Sequence, residues 1–255
     1  HRWLPAAMVA PTPVSALLHA VAVVKAGVFS LVKVIVYVFG LASAPDTLAW
    51  LVWLAGFTII AASLIALAAD NLKRRLAYST ISQLSYVVMA ACLLTPAAVA
   101  GSALHIAAHA VGKITLFFAA GAIYTAAHKT RVSELDGIGR RMPWTMAAFA
   151  LAALSLIGLP PTAGLLSKWY IMSGAFEGGH WTALLVLATA TLLSAAYLLP
   201  IVHRAFLRDP PAGQPAHGEA PWPMVAALCA SAGLTVSMFF FPDVPLALAR
   251  ALVAP

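Results

Sequence analysis

Seven stretches of this chain are long and apolar enough to cross a lipid bilayer, and that feature most constrains its fold. A helix needs ~20 predominantly apolar residues to span the ~30 Å hydrocarbon core. The runs at roughly 14–39, 47–69, 76–94, 97–127, 143–176, 181–207 and 222–241 meet that length. Of the 255 residues, 62% are hydrophobic and only 9% charged, whereas a soluble domain devotes roughly a quarter of its residues to charge. A chain so poor in charge cannot coat a globule with polar side chains, so its outer surface must face lipid. The eight acids (Asp46, Asp70, Glu134, Asp136, Glu177, Asp209, Glu219 and Asp243) all fall between or beside the apolar runs.

The fourth and fifth runs exceed a simple perpendicular span. Tilt accommodates the fourth. The fifth carries Gly158-Leu159-Pro160-Pro161 at its centre, and proline there removes backbone donors and clashes with the preceding turn. It is read as two half-helices joined by a break. The predicted class is an all-α polytopic membrane protein, a single transmembrane domain over 1–255 with about seven spans. The Pro/Gly/Ala-rich stretch from Asp209 to Pro223 reads as a loop, and the tail after Pro242 as a short interfacial helix.

Lys and Arg cluster in alternate loops: Lys73, Arg74 and Arg75, then Lys129, Arg131, Arg140 and Arg141, then Arg204 and Arg208. The opposite loops near 40–46, 95–97 and 177–180 carry none, and only Arg250 in the tail joins that side. The positive-inside rule then predicts a cytoplasmic N-terminus and a periplasmic or extracellular C-terminus. The net charge of +7 does not point to nucleic acid, because no basic stripe alternates with exposed aromatics. Cys92 and Cys229 lie far apart inside apolar runs, without zinc or iron–sulfur spacing. The start His1-Arg2-Trp3 has no signal-peptide character and reads as the middle of a longer polypeptide.

Charged groups inside spans are costly and mark function by default. Here they are His19 and Lys25 in the first run, His105, His109 and Lys113 in the fourth, and Lys168 in the fifth. Lys33 lies nearer a helix end and can snorkel to the interface. His105, His109 and Lys113 recur every fourth residue, which stacks them along one helix face. Two charges ~6 Å apart at an effective dielectric of ~20 interact by roughly 3 kcal/mol, so protonating one strongly affects its neighbour, as a proton relay requires. The bland readings differ by residue. A lone His19 fits a backbone hydrogen bond as well as a relay, and the pair His105/His109 has the spacing of zinc ligands. Lys113 would repel such a cation, however, and no third ligand is evident. Lys113 and Lys168 have no acid at membrane depth to pair with. The break at Gly158, Pro160 and Pro161, just before Lys168, is the kind of discontinuity that marks ion sites in transporters.

Four blocks resemble a known family. They are Pro11-Thr12-Pro13-Val14-Ser15-Ala16-Leu17-Leu18-His19 followed by Lys25-Ala26-Gly27-Val28-Phe29; Asn71 to Gln83 (Asn-Leu-Lys-Arg-Arg-Leu-Ala-Tyr-Ser-Thr-Ile-Ser-Gln); His105-x3-His109-x3-Lys113; and the Pro-Pro break leading to Lys168. In this order they are similar to the antiporter-like subunits shared by respiratory complex I, Mrp-type cation/proton antiporters and membrane-bound hydrogenases. The resemblance implies a fourteen-helix fold with two inverted five-helix repeats, of which this chain would hold helices eight to fourteen. It implies that Lys25 is the central lysine linking the halves. Lys113, beside His105 and His109, would serve the second half-channel, and Lys168 would exchange protons with the outside. The family's glutamate–lysine pair on its fifth and seventh helices has no counterpart here. Trp169-Tyr170 after Lys168 departs from the pattern of the complex I L subunit. The wording around Arg140-Arg141-Met142-Pro143-Trp144 and Gly158 to Gly164 reads most like the D-type Mrp protein.

The expected function is a proton-translocating portion of a multisubunit monovalent cation/proton antiporter, similar to the D-type Mrp protein, in a bacterial cytoplasmic membrane. Its expected partners are other membrane subunits, with protons and Na+ or K+ as the moving ions. The alternative is a membrane-arm subunit of NADH:quinone oxidoreductase or of a hydrogenase; a third reading is a scaffold without transport. No flavin, iron–sulfur or nucleotide motif is present, so no redox step, metal or cofactor is expected of the chain itself.

Overall fold

The computed structural model describes residues 3–17, 22–41, 47–211 and 217–253. Among them the chain forms α1 (Trp3–Ala6), α2 (Thr12–Ala16), α3 (Val23–Val34), α4 (Ala49–Ala68), α5 (Leu72–Cys92), α6 (Pro96–Ala127), α7 (Ile138–Arg141), α8 (Pro143–Ile157), α9 (Ala163–Glu177), α10 (Trp181–Leu207), α11 (Trp222–Phe240) and α12 (Asp243–Ala251). No strand occurs among the described residues. Helices α4, α6, α10 and α11 are long and apolar enough to cross a membrane.

Helix α4 shows how the sequence builds a lipid-facing bundle. Small side chains (Ala55, Ala62, Ser63, Ala66) and Ile59 turn inward, while Trp50, Trp53, Leu54 and Phe57 are exposed. Lipid solvates the large side chains as well as a protein core would, so association relies on close backbone approach at small residues. Gly101 does the same between α6 and α9: a Cβ there would lie 2.7 Å from the Ile171 backbone nitrogen.

Helix α5 is the exception in composition and the centre of the bundle. Leu76, Ser79, Thr80, Ser82, Gln83 and Tyr86 are all fully buried, so its polar groups must be satisfied by protein. Asn71 opens the helix by accepting from the Arg74 backbone N–H at 3.0 Å. Arg75, expected in a loop, sits buried in the first turn. Its guanidinium donates to the carbonyls of Ala69 (2.8 Å), Tyr197 (3.0 Å) and Leu67 (3.4 Å). The Tyr197 carbonyl lies next to the point where Pro200, inside α10, removes the N–H that Ala196 would otherwise bond.

Within the first expected span, 14–39, the described residues form α2 and α3, and residues 18–21 lie outside the described residues. A wide turn over Ile35–Phe39 ends the segment. The fifth is interrupted where expected, between Ile157 and Ala163. Gly158 leaves α8 in the left-handed region at φ 92°, a C-terminal conformation that favours glycine.

The basic loops gather at one end of the bundle and lock together. Leu72 N–H donates to the Thr130 carbonyl (2.9 Å) and Val132 N–H to that of Asp70 (2.8 Å). Arg204 and Arg208 meet Asp136 at 3.1 and 3.5 Å, and Arg140 meets Asp209 at 2.8 Å. Glu219, from the Pro-rich loop, caps α8 at the same end. Its carboxylate accepts from the backbone of Trp144 (2.7 Å) and from the Thr145 hydroxyl (2.6 Å).

Candidate functional site

The buried cations of α3, α6 and α9 converge. Lys25, 6% exposed, projects from α3 so that its Nζ lies 2.8 Å from His109 Nδ1, close enough for direct proton exchange. His109 Nε2 is buried with no hydrogen-bond partner. One turn back along α6, the ring of His105 lies 6.1 Å from that of His109, centroid to centroid. His105 in turn places Nδ1 2.9 Å from the Ser167 hydroxyl and Nε2 3.0 Å from Gln83 Oε1.

Lys113, one turn further along α6 and fully buried, points at the first turns of α5. Its Nζ donates to the Leu76 carbonyl at 2.8 Å and to the Ser79 hydroxyl. Lys168, 5% exposed, lies across the helix break. Its Nζ donates to the carbonyls of Leu156 and Ile157, each at 2.9 Å, and is 3.5 Å from the Thr191 hydroxyl.

These contacts explain how lysines sit at membrane depth without an acid. Among the described residues every ion pair lies at the loop end of the bundle. The last carbonyls of a helix have no intrahelical partner and carry the negative end of its dipole. Breaking the span after Ile157 frees such carbonyls in the protein interior, where they receive the Lys168 ammonium. Gly158 also makes room for that side chain, since a Cβ on it would come 2.8 Å from Lys168 Cδ.

Side chains that sequence reasoning left without a role tie the cations together. The Tyr86 ring stacks on His105 at 5.9 Å, and its centroid lies 5.0 Å from Lys168 Nζ. Gln83 Nε2 donates to Ser194 (3.2 Å) and to the Leu156 carbonyl (3.4 Å), the oxygen that also accepts from Lys168. Ser79, Gln83 and Tyr86 recur at i, i+4 and i+7 on α5, a polar stripe in a buried helix that was the available signal. Both His105 nitrogens face protein partners, Ser167 and Gln83.

The remaining expectations fall elsewhere. His19 lies outside the described residues. Lys33 is not buried, and its ammonium lies 5.6 Å from the Phe29 ring and 6.0 Å from that of Tyr37. Two cavities of about 650 and 710 Å³ are lined by Val9, Lys73 and Tyr124 near the loop end, away from the buried cations. The cleft beside Lys168, between Tyr86, Met172 and Thr191, is too tight to admit a water molecule.

The chain is thus a helical membrane bundle whose buried cations converge beside a broken helix, and comparison with known proteins specifies its family. Residues 1–194 match the family model described as NADH:quinone oxidoreductase/Mrp antiporter, TM. The chain belongs to that family and is a multi-pass membrane protein. It is 40% identical over 226 residues to NADH-quinone oxidoreductase subunit N of Desulforudis audaxviator, covering 88% of this chain and 44% of that protein. It is 35% identical over 227 residues to a probable K(+)/H(+) antiporter protein (the A/B subunit) of Rhizobium meliloti, covering 87% of this chain and 22% of that one. The fold matches a chain of the Mrp complex from Dietzia sp. with a TM-score of 0.90 at 20% identity, over 99% of this chain and 55% of the other. The chain thus spans less than half the length of these curated relatives.

Proposed function

We propose that this chain carries protons through the membrane along Lys25, His109, His105, Lys113 and Lys168, with His19 as a further member of the relay. It does so as part of a larger antiporter-like assembly. The observation that carries the reading is the Lys25–His109 contact of 2.8 Å, continued through His105 to the half-helix that holds Lys168. Groups of this kind accept and release protons at physiological pH or when desolvated. Lining them up through a protein-walled interior, without neutralising acids, leaves proton occupancy of one to bias the next. The tight cleft around Lys168 makes its exchange with the far side a gated step.

The assembly we favour is an Mrp cation/proton antiporter, with this chain in the place of its D-type protein and proton movement coupled to that of a monovalent cation such as Na+ or K+. Antiporter proteins among the relatives support this. The 40% identity to a subunit N favours a second reading, a membrane-arm component of a quinone reductase, in which the same line is driven by redox chemistry performed elsewhere. In both, the end bearing Lys73, Arg131, Arg140 and Arg204 is assigned to the cytoplasm of a bacterial inner membrane, with the N-terminus inside and the C-terminus outside.

The test is to purify the protein from native membranes in mild detergent, identify its companions by mass spectrometry, and assay proton uptake in proteoliposomes. Mrp-type companions and loss of uptake in Lys113→Ala are the expected result. Quinone-reductase or hydrogenase companions would transfer the line to a redox pump, and normal uptake in Lys113→Ala would overturn the reading.

A further inference from the structure

The orientation of Gln83 follows from its neighbours, and it fixes where His105 carries its hydrogen. The Leu156 carbonyl can only accept, so the side-chain atom of Gln83 that faces it at 3.4 Å is the amide nitrogen. Ser194 gives its one hydrogen to the Ala190 carbonyl at 2.8 Å, so it too accepts from that nitrogen, at 3.2 Å. Gln83 Oε1 therefore turns to His105 Nε2 at 3.0 Å. An amide oxygen only accepts, so Nε2 bears a hydrogen in every protonation state of the ring.

Proton exchange at His105 is then confined to Nδ1, which faces Ser167 at 2.9 Å. The Ser167 oxygen also lies 3.0 Å from the Gly164 carbonyl, and a hydroxyl has only one hydrogen to give. When the imidazole is neutral, the Ser167 hydrogen points to Nδ1. When a proton reaches Nδ1, that N–H donates to Ser167 Oγ and the serine hydrogen swings to the Gly164 carbonyl. One proton is gained by the ring, and no other bond is made or broken.

We propose that Gln83 and Ser167 are positioning residues that direct His105 to exchange its proton only on the side of α9, the half-helix bearing Lys168. All three side chains are fully buried or within 1% of it. The ionisable groups facing the His105 ring are His109 on its own helix, Tyr86 on α5, Lys25 on α3 and Lys168 on α9. None of them contacts either ring nitrogen, so the two neutral side chains alone decide the tautomer. This inference rests on the reading that His105 carries protons.

The test uses the full-length protein in its native assembly, labelled with 15N-histidine, with the His105 signal assigned by its loss in His105→Phe. The wild-type ring should show the Nε2–H tautomer with Nδ1 as acceptor, and Gln83→Leu should populate the other tautomer. Proton transport should fall by roughly 10²-fold in Gln83→Leu and Ser167→Ala, the low end of what a positioned acid–base group supplies. Ser167→Thr, which keeps the hydroxyl, should recover part of it. An Nδ1–H tautomer in the wild-type protein overturns the proposal, as does an unchanged tautomer in Gln83→Leu. Should the tautomer respond as stated while His105→Phe transports at the wild-type rate, the positioning stands and the proton-line reading falls.

Discussion

Lys168 Nζ donates to the carbonyl of Ile157 at 2.9 Å, so the ammonium of one half-helix is held by the C-terminal end of the other. Sequence alone offers no counter-charge for this lysine, and none is needed. The break that interrupts the span supplies oxygens that an unbroken helix would have consumed in its own hydrogen bonds.

Gly158 should therefore tolerate no side chain. Its φ of 92° strains any L-residue, and the added Cβ would meet the Lys168 stem. Gly158→Ala is expected to destabilise the protein by about 1–3 kcal/mol and to displace Lys168. Thermal unfolding in detergent checks the first effect and proton uptake the second.

Arg75 should be irreplaceable by lysine. Its guanidinium reaches carbonyls of Leu67, Ala69 and Tyr197, tying the end of α4 to the proline-bearing part of α10. An ammonium cannot present that planar fork. Arg75→Ala should cost on the order of 3 kcal/mol, as expected for losing hydrogen bonds from a charged donor, with Arg75→Lys falling between it and the wild type in denaturant titration.

The legible part of the fold was what charge and proline dictate. Apolar runs marked the helices of the bundle, Pro160 and Pro161 marked the break, and Lys25, Lys113 and Lys168 are buried side chains. The wide turn over Ile35–Phe39 was hidden because those residues contain neither glycine nor proline, so nothing local announces it. Ser79, Gln83, Ser167 and Ser194 were passed over for another reason. Hydroxyl and amide side chains in helices often bond their own backbone, and only packing against α6, α8 and α10 reveals which of them reach a histidine or lysine. The partners of Lys168 are backbone atoms, which residue types do not encode.

Glu219 should matter to α8 as a remote cap. Its carboxylate meets the first backbone N–H groups and the Thr145 hydroxyl, and loss of such a cap costs ~1 kcal/mol. Glu219→Ala should lower the unfolding midpoint, while Glu219→Gln, which keeps an acceptor but loses the charge at the positive end of the helix, should lower it less.

Asp70 should stabilise the loop end in a pH-dependent way. Partial burial pushes its carboxyl up, but the two Ser133 hydrogen bonds and the nearby Arg131 and Arg75 outweigh that and hold it below its usual range. Because the folded value is the lower one, the contribution is present above the unfolded carboxyl's range and is lost as pH falls through the folded value. Asp70→Asn should thus differ from wild type at neutral pH and converge with it in acid, as followed by unfolding at a series of pH values. The effect should be small, since the group is close to water and exposed charge interactions are weak.

The most direct measurement is proton uptake by proteoliposomes holding the intact assembly, compared for wild type, Lys168→Ala and Lys33→Ala, with assembly checked by native mass. Abolished uptake in Lys168→Ala, with the complex intact and Lys33→Ala near wild type, is the predicted result. An assembled Lys168→Ala complex that takes up protons at the wild-type rate would contradict the account.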